Sequence, residues 1–546
     1  MNLIAVRNGL IMILMSAVVA AYLVRSEGDL IKTIIIISGF VILLVTLYYE
    51  RYSFFLMVLL GLLLEQFILN SPIDQTRTYI MGRYYFGNLD KVTPFKFLKA
   101  NLLEFHLVAL LLVLIFKRMF RPDYRWPKMH LFPFAMAFLS VVIFTEAMGI
   151  MRGGDFLTSL WEIRALFYLV MVYLISPMMI KDEKDVRLLV WVIIAALTVK
   201  AFQGSYYFFI LLGGRFDVSQ SVLGHEDSHF LNAAFILLLG MFLLKVRDWQ
   251  KWVLLAICPL MMVAFLANER RVTYGTLGVS LIIAVLMIDD KKLKRRALKL
   301  AAAMLILAIP YSIVYWNNKY SRLARPIQQV KSVFNQEDKS NLYRDNEKIN
   351  LAHTITNDPL GIGFGRKYSI VVPLDDISKF FPLWDVIPHN SILGFWTKAG
   401  TQGFIIFLLF FGAAMAQGAH CFRRFQDPYF KALALMVVTQ IAGQLIVSYY
   451  DLQLNYYRNM IFLGTQLGLL AALSSIAAKQ ESNVRCKERP NCPRPTSDIG
   501  FTFDVGRTDV GRRTLQTSDV GRFDVGRTDV GFAYRHRTSD VLTSDV

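Results

Sequence analysis

The sequence predicts an all-α fold, a polytopic transmembrane helical bundle of about 12 to 14 spans with one long outer loop of partly helical character. Three observations carry this. Hydrophobic residues make up 55% of the 546-residue chain and charged residues only 18%, whereas soluble domains hold about a quarter charged. The apolar residues fall in repeated blocks of about 16 to 24, the length that crosses a bilayer as helix. Lys and Arg gather in the connections between certain blocks instead of being spread evenly.

In chain order, spans are expected at about 9–24, 31–49, 53–69, 101–116, 131–150, 163–180, 188–212, 229–245, 252–268, 272–288, 297–316, 389–412, 429–448 and 459–478. The first follows Arg7 and lacks a small-residue cleavage site, so it reads as a retained span and not as a removed signal peptide. The second and third are split by little more than Glu50 and Arg51, and the fourth carries Glu104 and His106; these widen the count to about 12 to 14. The stretch from about Arg77 to Ala100, rich in Tyr, Phe and Lys, suits an interfacial belt. The one long polar insertion, 317–388, has helix-compatible stretches around Val330 to Ala352 and then Gly361, Gly363 and Gly365, and loops of that length are usually functional or independently folded. The chain thus divides into N-terminal helices (1–128), central helices with arginine-bearing outer turns (129–316), the long loop (317–388), C-terminal helices (389–479) and a low-complexity tail (480–546).

The net charge of +18, from 59 Lys and Arg against 41 Asp and Glu, would suit a nucleic-acid partner, but its distribution points to topology instead. Lys117, Arg118, Arg121, Arg125 and Lys128 fill one loop, Lys245, Arg247 and Lys251 a second, and Lys291, Lys292, Lys294, Arg295 and Arg296 a third. The positive-inside bias makes all three cytoplasmic. Counting spans from them places Arg423, Arg424 and both termini inside, and 70–100, 151–162, 213–228, 269–271, 317–388 and 449–458 outside. From Glu481 onward 11 basic residues face 10 acidic ones, so the excess belongs to the membrane body. That tail repeats Asp504-Val-Gly-Arg-Thr-Asp509 nearly every five residues, holds too little apolar surface for a core, and is expected to be disordered and cytoplasmic. Cys258, Cys421, Cys486 and Cys492 have neither zinc-type nor disulfide-framework spacing, so no metal site, cofactor or disulfide is expected.

Polar groups in a membrane protein must face protein or water, so charges that break the topological bias are the candidates for function. Three outward places do so. One is Gly213-Gly214-Arg215-Phe-Asp217, followed by His225, Glu226, Asp227, Ser228 and His229; the second is Asn268-Glu269-Arg270-Arg271; the third is Pro388-His389-Asn390-Ser391. A loop charge or snorkelling helix end accounts for Arg215, and a helix cap for His389, without any function. Two arginines in a minimal outside turn are harder to dismiss: they need an anionic partner, of which Glu269 supplies part. Together the places suggest an outer cavity with guanidinium forks suited to a diphosphate and one imidazole able to accept a proton from an attacking hydroxyl. The arginines would stabilise charge developing on the leaving diphosphate.

At this point the chain resembles the O-antigen ligases and related O-antigen polymerases of bacterial inner membranes. Asp358-Pro-Leu-Gly-Ile-Gly-Phe-Gly365, followed by Pro388-His-Asn-Ser-Ile-Leu-Gly-Phe-Trp-Thr-Lys-Ala-Gly400-Thr-Gln-Gly-Phe404, is similar to that family's paired signature, and the resemblance covers roughly residues 200 to 410. It implies that His389 is the essential histidine, that Arg215 is the periplasmic arginine between middle spans, and that Arg270 or Arg271 is the arginine at a span start. Arg344 stands where such proteins often carry an arginine, and Asn390, Gly361, Gly363 and Gly365 support the site. The chain departs from the pattern in Asn268-Glu-Arg-Arg-Val-Thr, which leaves Arg270 and Arg271 undecided, and before the last glycine pair, where Lys398 or a neighbour stands in place of an acidic residue.

The resemblance further implies a metal-independent glycosyltransferase of the inner membrane, multi-pass, with its site facing the periplasm. It would move a glycan from an undecaprenyl-diphosphate donor to a lipid A-core sugar (a ligase) or to another lipid-linked repeat (a polymerase of O-antigen or exopolysaccharide). A transporter is the alternative from another class, but the marked polar groups cluster at one face beside one large loop, and the halves show no convincing repeat.

Overall fold

Where water is scarce a segment must bond its own N–H and C=O groups, and the long apolar runs of this chain accordingly become helices. The computed structural model describes residues 30–67, 77–91, 98–121, 126–215, 221–288, 290–318, 324–333, 339–379 and 381–488, with isolated positions before 30. Met1–Glu488 forms one unit and Arg489–Val546 another. The second unit lies outside the described residues, as do Asp217, Cys492 and most of the expected first span.

Numbered from the first described helix, the elements are α1 Leu30–Tyr48, α2 Glu50–Leu63, α3 Arg77–Phe86, α4 Leu102–Phe120, α5 Phe132–Met151, α6 Phe156–Met179, α7 Glu183–Tyr206, α8 Asp227–Leu243, α9 Trp249–Ala267, α10 Arg271–Met287, α11 Lys291–Tyr315, α12 Arg325–Val333, α13 Lys339–Asn357, α14 Ser391–Arg424, α15 Pro428–Tyr450 and α16 Tyr457–Glu488. Among the described residues there is no β-strand, only an isolated bridge between Asn88 and Asn101. Among the described residues six helices are long and apolar enough to cross a membrane: α5, α6, α9, α14, α15 and α16 over Tyr457–Gln480. Shorter apolar helices are Ile37–Tyr48, α8, α10 and Ile306–Tyr315.

Several elements differ from the runs read in the sequence. The helix described in the expected 53–69 run is Glu50–Leu63, and the expected 188–212 run starts earlier, where Asp182 and Asp185 form a capping box, and ends in a π-turn over Tyr207–Leu211. The interfacial stretch contains α3, and the long polar insertion contains α12 and α13. The last helix is described as far as Glu488, past the expected end of its run, as the helix formers Ala, Lys, Gln and Glu after 476 favour.

The polar residues that interrupted the N-terminal runs are paired. Glu104 closes a capping box with Asn101 and meets Arg164 at 2.9 Å, while buried His106 bonds Ser53 at 2.7 Å and Tyr85 at 3.0 Å. Glu50 pairs with Lys117 and Arg51 with Asp185. Deeper lies Arg458, fully buried, whose guanidinium donates to Glu226 at 2.6 Å, to Asp227 at 2.5 Å, and to the carbonyls of Gly61 and Leu62 at 3.0 and 2.7 Å. Those carbonyls end α2 and have no partner within the helix, so one cation caps α2 and neutralises two carboxylates at the start of α8. Lys200 completes the cluster, 2.9 Å from Glu65 and 3.4 Å from Asp227.

Two glycine arrangements set the packing. On α16, Gly464 and Gly468 stand four residues apart against α6, where a Cβ would lie 2.7 Å from the Leu169 carbonyl or 2.3 Å from Ser176 Cβ; small residues at this spacing let helices approach closely. The second concerns α14, which breaks at Gly400 (φ 70°, ψ 179°). The break frees the Thr397 and Lys398 carbonyls, and these accept from Ile362 N and Gly363 N, both at 3.0 Å, while Thr401 N donates to the Pro359 carbonyl at 2.9 Å. The glycine-rich strand is thus threaded through the break, with Phe364 N on the Thr145 carbonyl and the Gly365 carbonyl accepting from Asp155 N.

Three outcomes follow. Gly363 has φ 88° and a Cβ there would sit 2.3 Å from Gly149 Cα, so Gly363→Ala is expected to cost well over about 1 kcal/mol and to lower both membrane accumulation and the melting midpoint in detergent. Gly412→Ala, with nothing within 4 Å of its Cβ, should leave both unchanged. Arg458→Met leaves Glu226 buried without its cation and Asp227 with Lys200 alone, and is expected to cost about 3–5 kcal/mol; an unchanged melting midpoint would contradict the bracing role.

A candidate active site around His389

The start of α14 brings together groups from five separate stretches. Asn390 caps the helix, its side chain accepting from Leu393 N at 2.9 Å, and this sets His389 just ahead of the first turn. The His389 ring, about a quarter exposed, meets the buried carboxylate of Glu347 on α13, Nδ1 to Oε1 3.1 Å. Tyr343 packs edge-on against the same ring with centroids 5.3 Å apart. Burial, with the carboxylates of Glu347, Asp375 and Asp385, pushes the Tyr343 phenol well up, so it stays protonated as a donor.

Ser391 links this group to a second one, its hydroxyl donating to the Asp451 carbonyl at 2.7 Å. The Asp451 carboxylate in turn lies 3.0 Å from His225 Nδ1 and accepts from Gln453 at 2.8 Å. Burial works to raise this carboxyl, but the His225 contact and the nearby Arg270 charge overcome it and hold it well below the usual carboxylate range.

The turn between α9 and α10 supplies the arginines. Asn268 ties it to the loop before α8, accepting from Leu223 N at 3.0 Å and donating to the Gly224 carbonyl at 2.9 Å and to Ser228 at 2.8 Å. Glu269 adopts φ 52° and accepts from Arg325 at 2.8 and 2.9 Å. Arg270 donates to Ser221 at 2.6 Å. Burial lowers the Arg270 guanidinium, Asp451, Tyr456 and Glu226 act the other way, and the Arg344 charge adds to the lowering. Arg271, the first residue of α10, follows the extended N-cap Arg270 and donates to Ser332 on α12 at 3.1 Å.

Several donors in this neighbourhood have no hydrogen-bond partner among the described residues: Arg270 Nε, Arg344 Nε, the Tyr343 hydroxyl and the Asn390 amide nitrogen. Buried donors are nearly always bonded, so a set left open beside one imidazole is suited to receive an anion with several acceptor oxygens. Arg215 is exposed at the end of the π-turn, with no side-chain contact to the other candidates among the described residues. Gly361, Gly363 and Gly365 form the threaded strand and touch α5, α6 and α14 instead of the open donors.

Lys398 finds its partner in Glu162, at 3.0 Å, and donates also to the Arg366 carbonyl. Glu162 accepts from Gly365 N at 2.6 Å. This pair lines a small cavity with Phe364, Pro388, Ser391 and Asn455, directly beneath the start of α14. Cys258 and Cys421 are free thiols, and among the described residues no three His, Cys, Asp or Glu side chains stand close enough to hold a metal.

Sequence reasoning missed Glu347, Asp451 and Glu162. The one available signal was that each is a carboxylate at or near the end of an apolar run or inside the long insertion, facing the same side as an unpaired-looking cation. No curated protein matches the chain. Residues 254–408, which hold Arg270, Arg344, Glu347, His389 and Lys398, match the family described as O-antigen ligase, so this stretch of the chain carries an O-antigen ligase-type domain.

Proposed function

We propose that this protein is a glycosyltransferase of the bacterial inner membrane that moves a glycan from an undecaprenyl-diphosphate donor to a sugar hydroxyl at the periplasmic face. The observation that carries the reading is the set of open donors on Arg270, Arg344, Tyr343 and Asn390 beside the His389 imidazole. In this reading the diphosphate lies on the arginine forks, and the acceptor hydroxyl approaches His389. The hydroxyl oxygen bonds to the anomeric carbon, the carbon–oxygen bond to the diphosphate breaks with its electron pair leaving on the diphosphate, and the hydroxyl proton passes to His389. Fixed guanidinium charge takes the part that a cation takes elsewhere in diphosphate chemistry, so the reading is metal-independent. Arg215, exposed on its own turn, is assigned to the donor as it enters.

Orientation belongs to the same proposal. Basic loops inside put both termini in the cytoplasm, make about 12 to 14 crossings, and turn the 317–388 insertion to the periplasm. The ligase reading takes a lipid A-core sugar as acceptor; the polymerase reading takes a second lipid-linked repeat.

His389→Ala and Arg215→Ala are each expected to abolish glycan transfer while leaving the protein in the membrane at wild-type level. Normal glycan attachment in either would remove that residue from the site. The material left on the carrier in the His389→Ala strain separates the two acceptors: full-length polymer marks a ligase, single repeats a polymerase. Lysine keeps the charge but loses the fork, so Arg270→Lys should lower the transfer rate at least about tenfold, and Arg271→Lys, whose guanidinium meets Ser332, should lower it much less. Equal and full activity in both would count against a diphosphate site at this turn.

A further inference from the structure

We infer that Glu347 is the positioning residue for His389, holding its imidazole in the tautomer that carries hydrogen on Nδ1 and leaves the Nε2 lone pair for the acceptor proton. This rests on the proposed reading of His389 as the base. The Glu347 side chain is fully buried on α13. Its Oε1 accepts from the His389 backbone N–H at 3.1 Å and faces Nδ1 at the same distance, and its Oε2 accepts from Asn390 N at 3.3 Å. An ionised carboxylate has only acceptors to offer, so the ring nitrogen facing it must bear hydrogen. The other ring nitrogen is then the basic one.

Two more features hold the arrangement. Tyr343 and Phe381 stand edge-on to the ring, with centroids 5.3 and 6.4 Å away, which limits its rotation. Asn350, one turn along α13 from Glu347, accepts from Val371 N at 2.9 Å and Val372 N at 2.7 Å, and this fastens the helix to the strand that leads into the His389 turn. Among the described residues the ion-pair partner of Glu347 is His389 itself. A buried carboxylate without a fixed cation is costly, so the imidazolium formed as His389 takes the proton is the cation this carboxylate lacks. Glu347 thereby favours the protonated product of the step without touching either substrate.

The test uses the full-length protein in detergent or vesicles, with an undecaprenyl-diphosphate-linked oligosaccharide as donor and a lipid A-core acceptor, and rates counted per inserted molecule. Glu347→Gln keeps the size but sets an amide N–H2 against either the ring or Asn390 N–H. It is expected to lower kcat about 10- to 100-fold, with donor KM within about twofold of wild type. Glu347→Asp, which keeps both oxygens and the charge, should recover most of the lost kcat. Wild-type kcat in Glu347→Gln overturns the inference, and so does loss of both variants from the membrane or a raised KM with unchanged kcat, each of which assigns a structural role only. His389→Ala separates the two claims. If it is active, the base reading fails first; if it is inactive while Glu347→Gln works at full rate, the base stands and Glu347 alone is excluded.

Discussion

The arrangement around the candidate site depends on one demand: a helix broken inside an apolar bundle must have its freed backbone groups bonded by something other than water. The break in α14 at Gly400 exposes the Thr397 and Lys398 carbonyls, and the strand at Ile362 and Gly363 satisfies them. Only glycine fits at 361 and 363, since a Cβ at either would overlap the backbone of Lys398 or Gly149. The family signature in the 358–404 region is therefore in good part a clasp. It fixes the loop from α13 against the same helix whose first turn carries His389, and so fixes the distance between Glu347 and His389.

Charge in the bundle falls into two groups by what satisfies it. Arg458 and Lys200 spend every donor described for them on carboxylates and helix-end carbonyls, and Lys398 is held by Glu162 and a carbonyl. These are braces, and a cation so enclosed has nothing left for a ligand. Arg270 and Arg344 differ, because each retains a buried Nε with no described partner. The braces nevertheless shape the site: Glu226, bonded to Arg458, also acts on Arg270, and Asn268 holds the loop carrying His225 against the turn carrying Arg270.

The helical class and the membrane setting were legible from composition and block length, because the bilayer imposes both on any sequence. Span edges were less so. A run such as 188–212 gives its hydropathy but not the capping box at Asp182 or the π-turn that ends it. The site was legible to the extent that a charge breaking the positive-inside pattern asks for a partner, which singled out Arg215, Arg270, Arg271 and His389. It was not legible in the partners themselves. Glu347 lies 42 positions from His389 and Asp451 226 positions from His225, and no local periodicity encodes pairings made by topology. That the helix starts at Arg271, with Arg270 as an extended N-cap and Glu269 at positive φ, is likewise nothing that residue type reveals.

The placement of these groups bears on how charge moves in the proposed transfer. Negative charge grows on the diphosphate oxygen as the glycosidic bond breaks, and positive charge grows on His389 as the hydroxyl loses its proton. If both met the same residues, stabilising one would oppose the other. In the proposed reading the arginine donors receive the anion, while the buried Glu347 carboxylate faces the imidazole. Each developing charge thus has an oppositely charged group already oriented toward it, in surroundings where little reorganisation is needed as the reaction proceeds. Asp451, bonded to Ser391 through its carbonyl and to His225 through its carboxylate, joins the two halves and keeps the cation side and the anion side at a fixed separation.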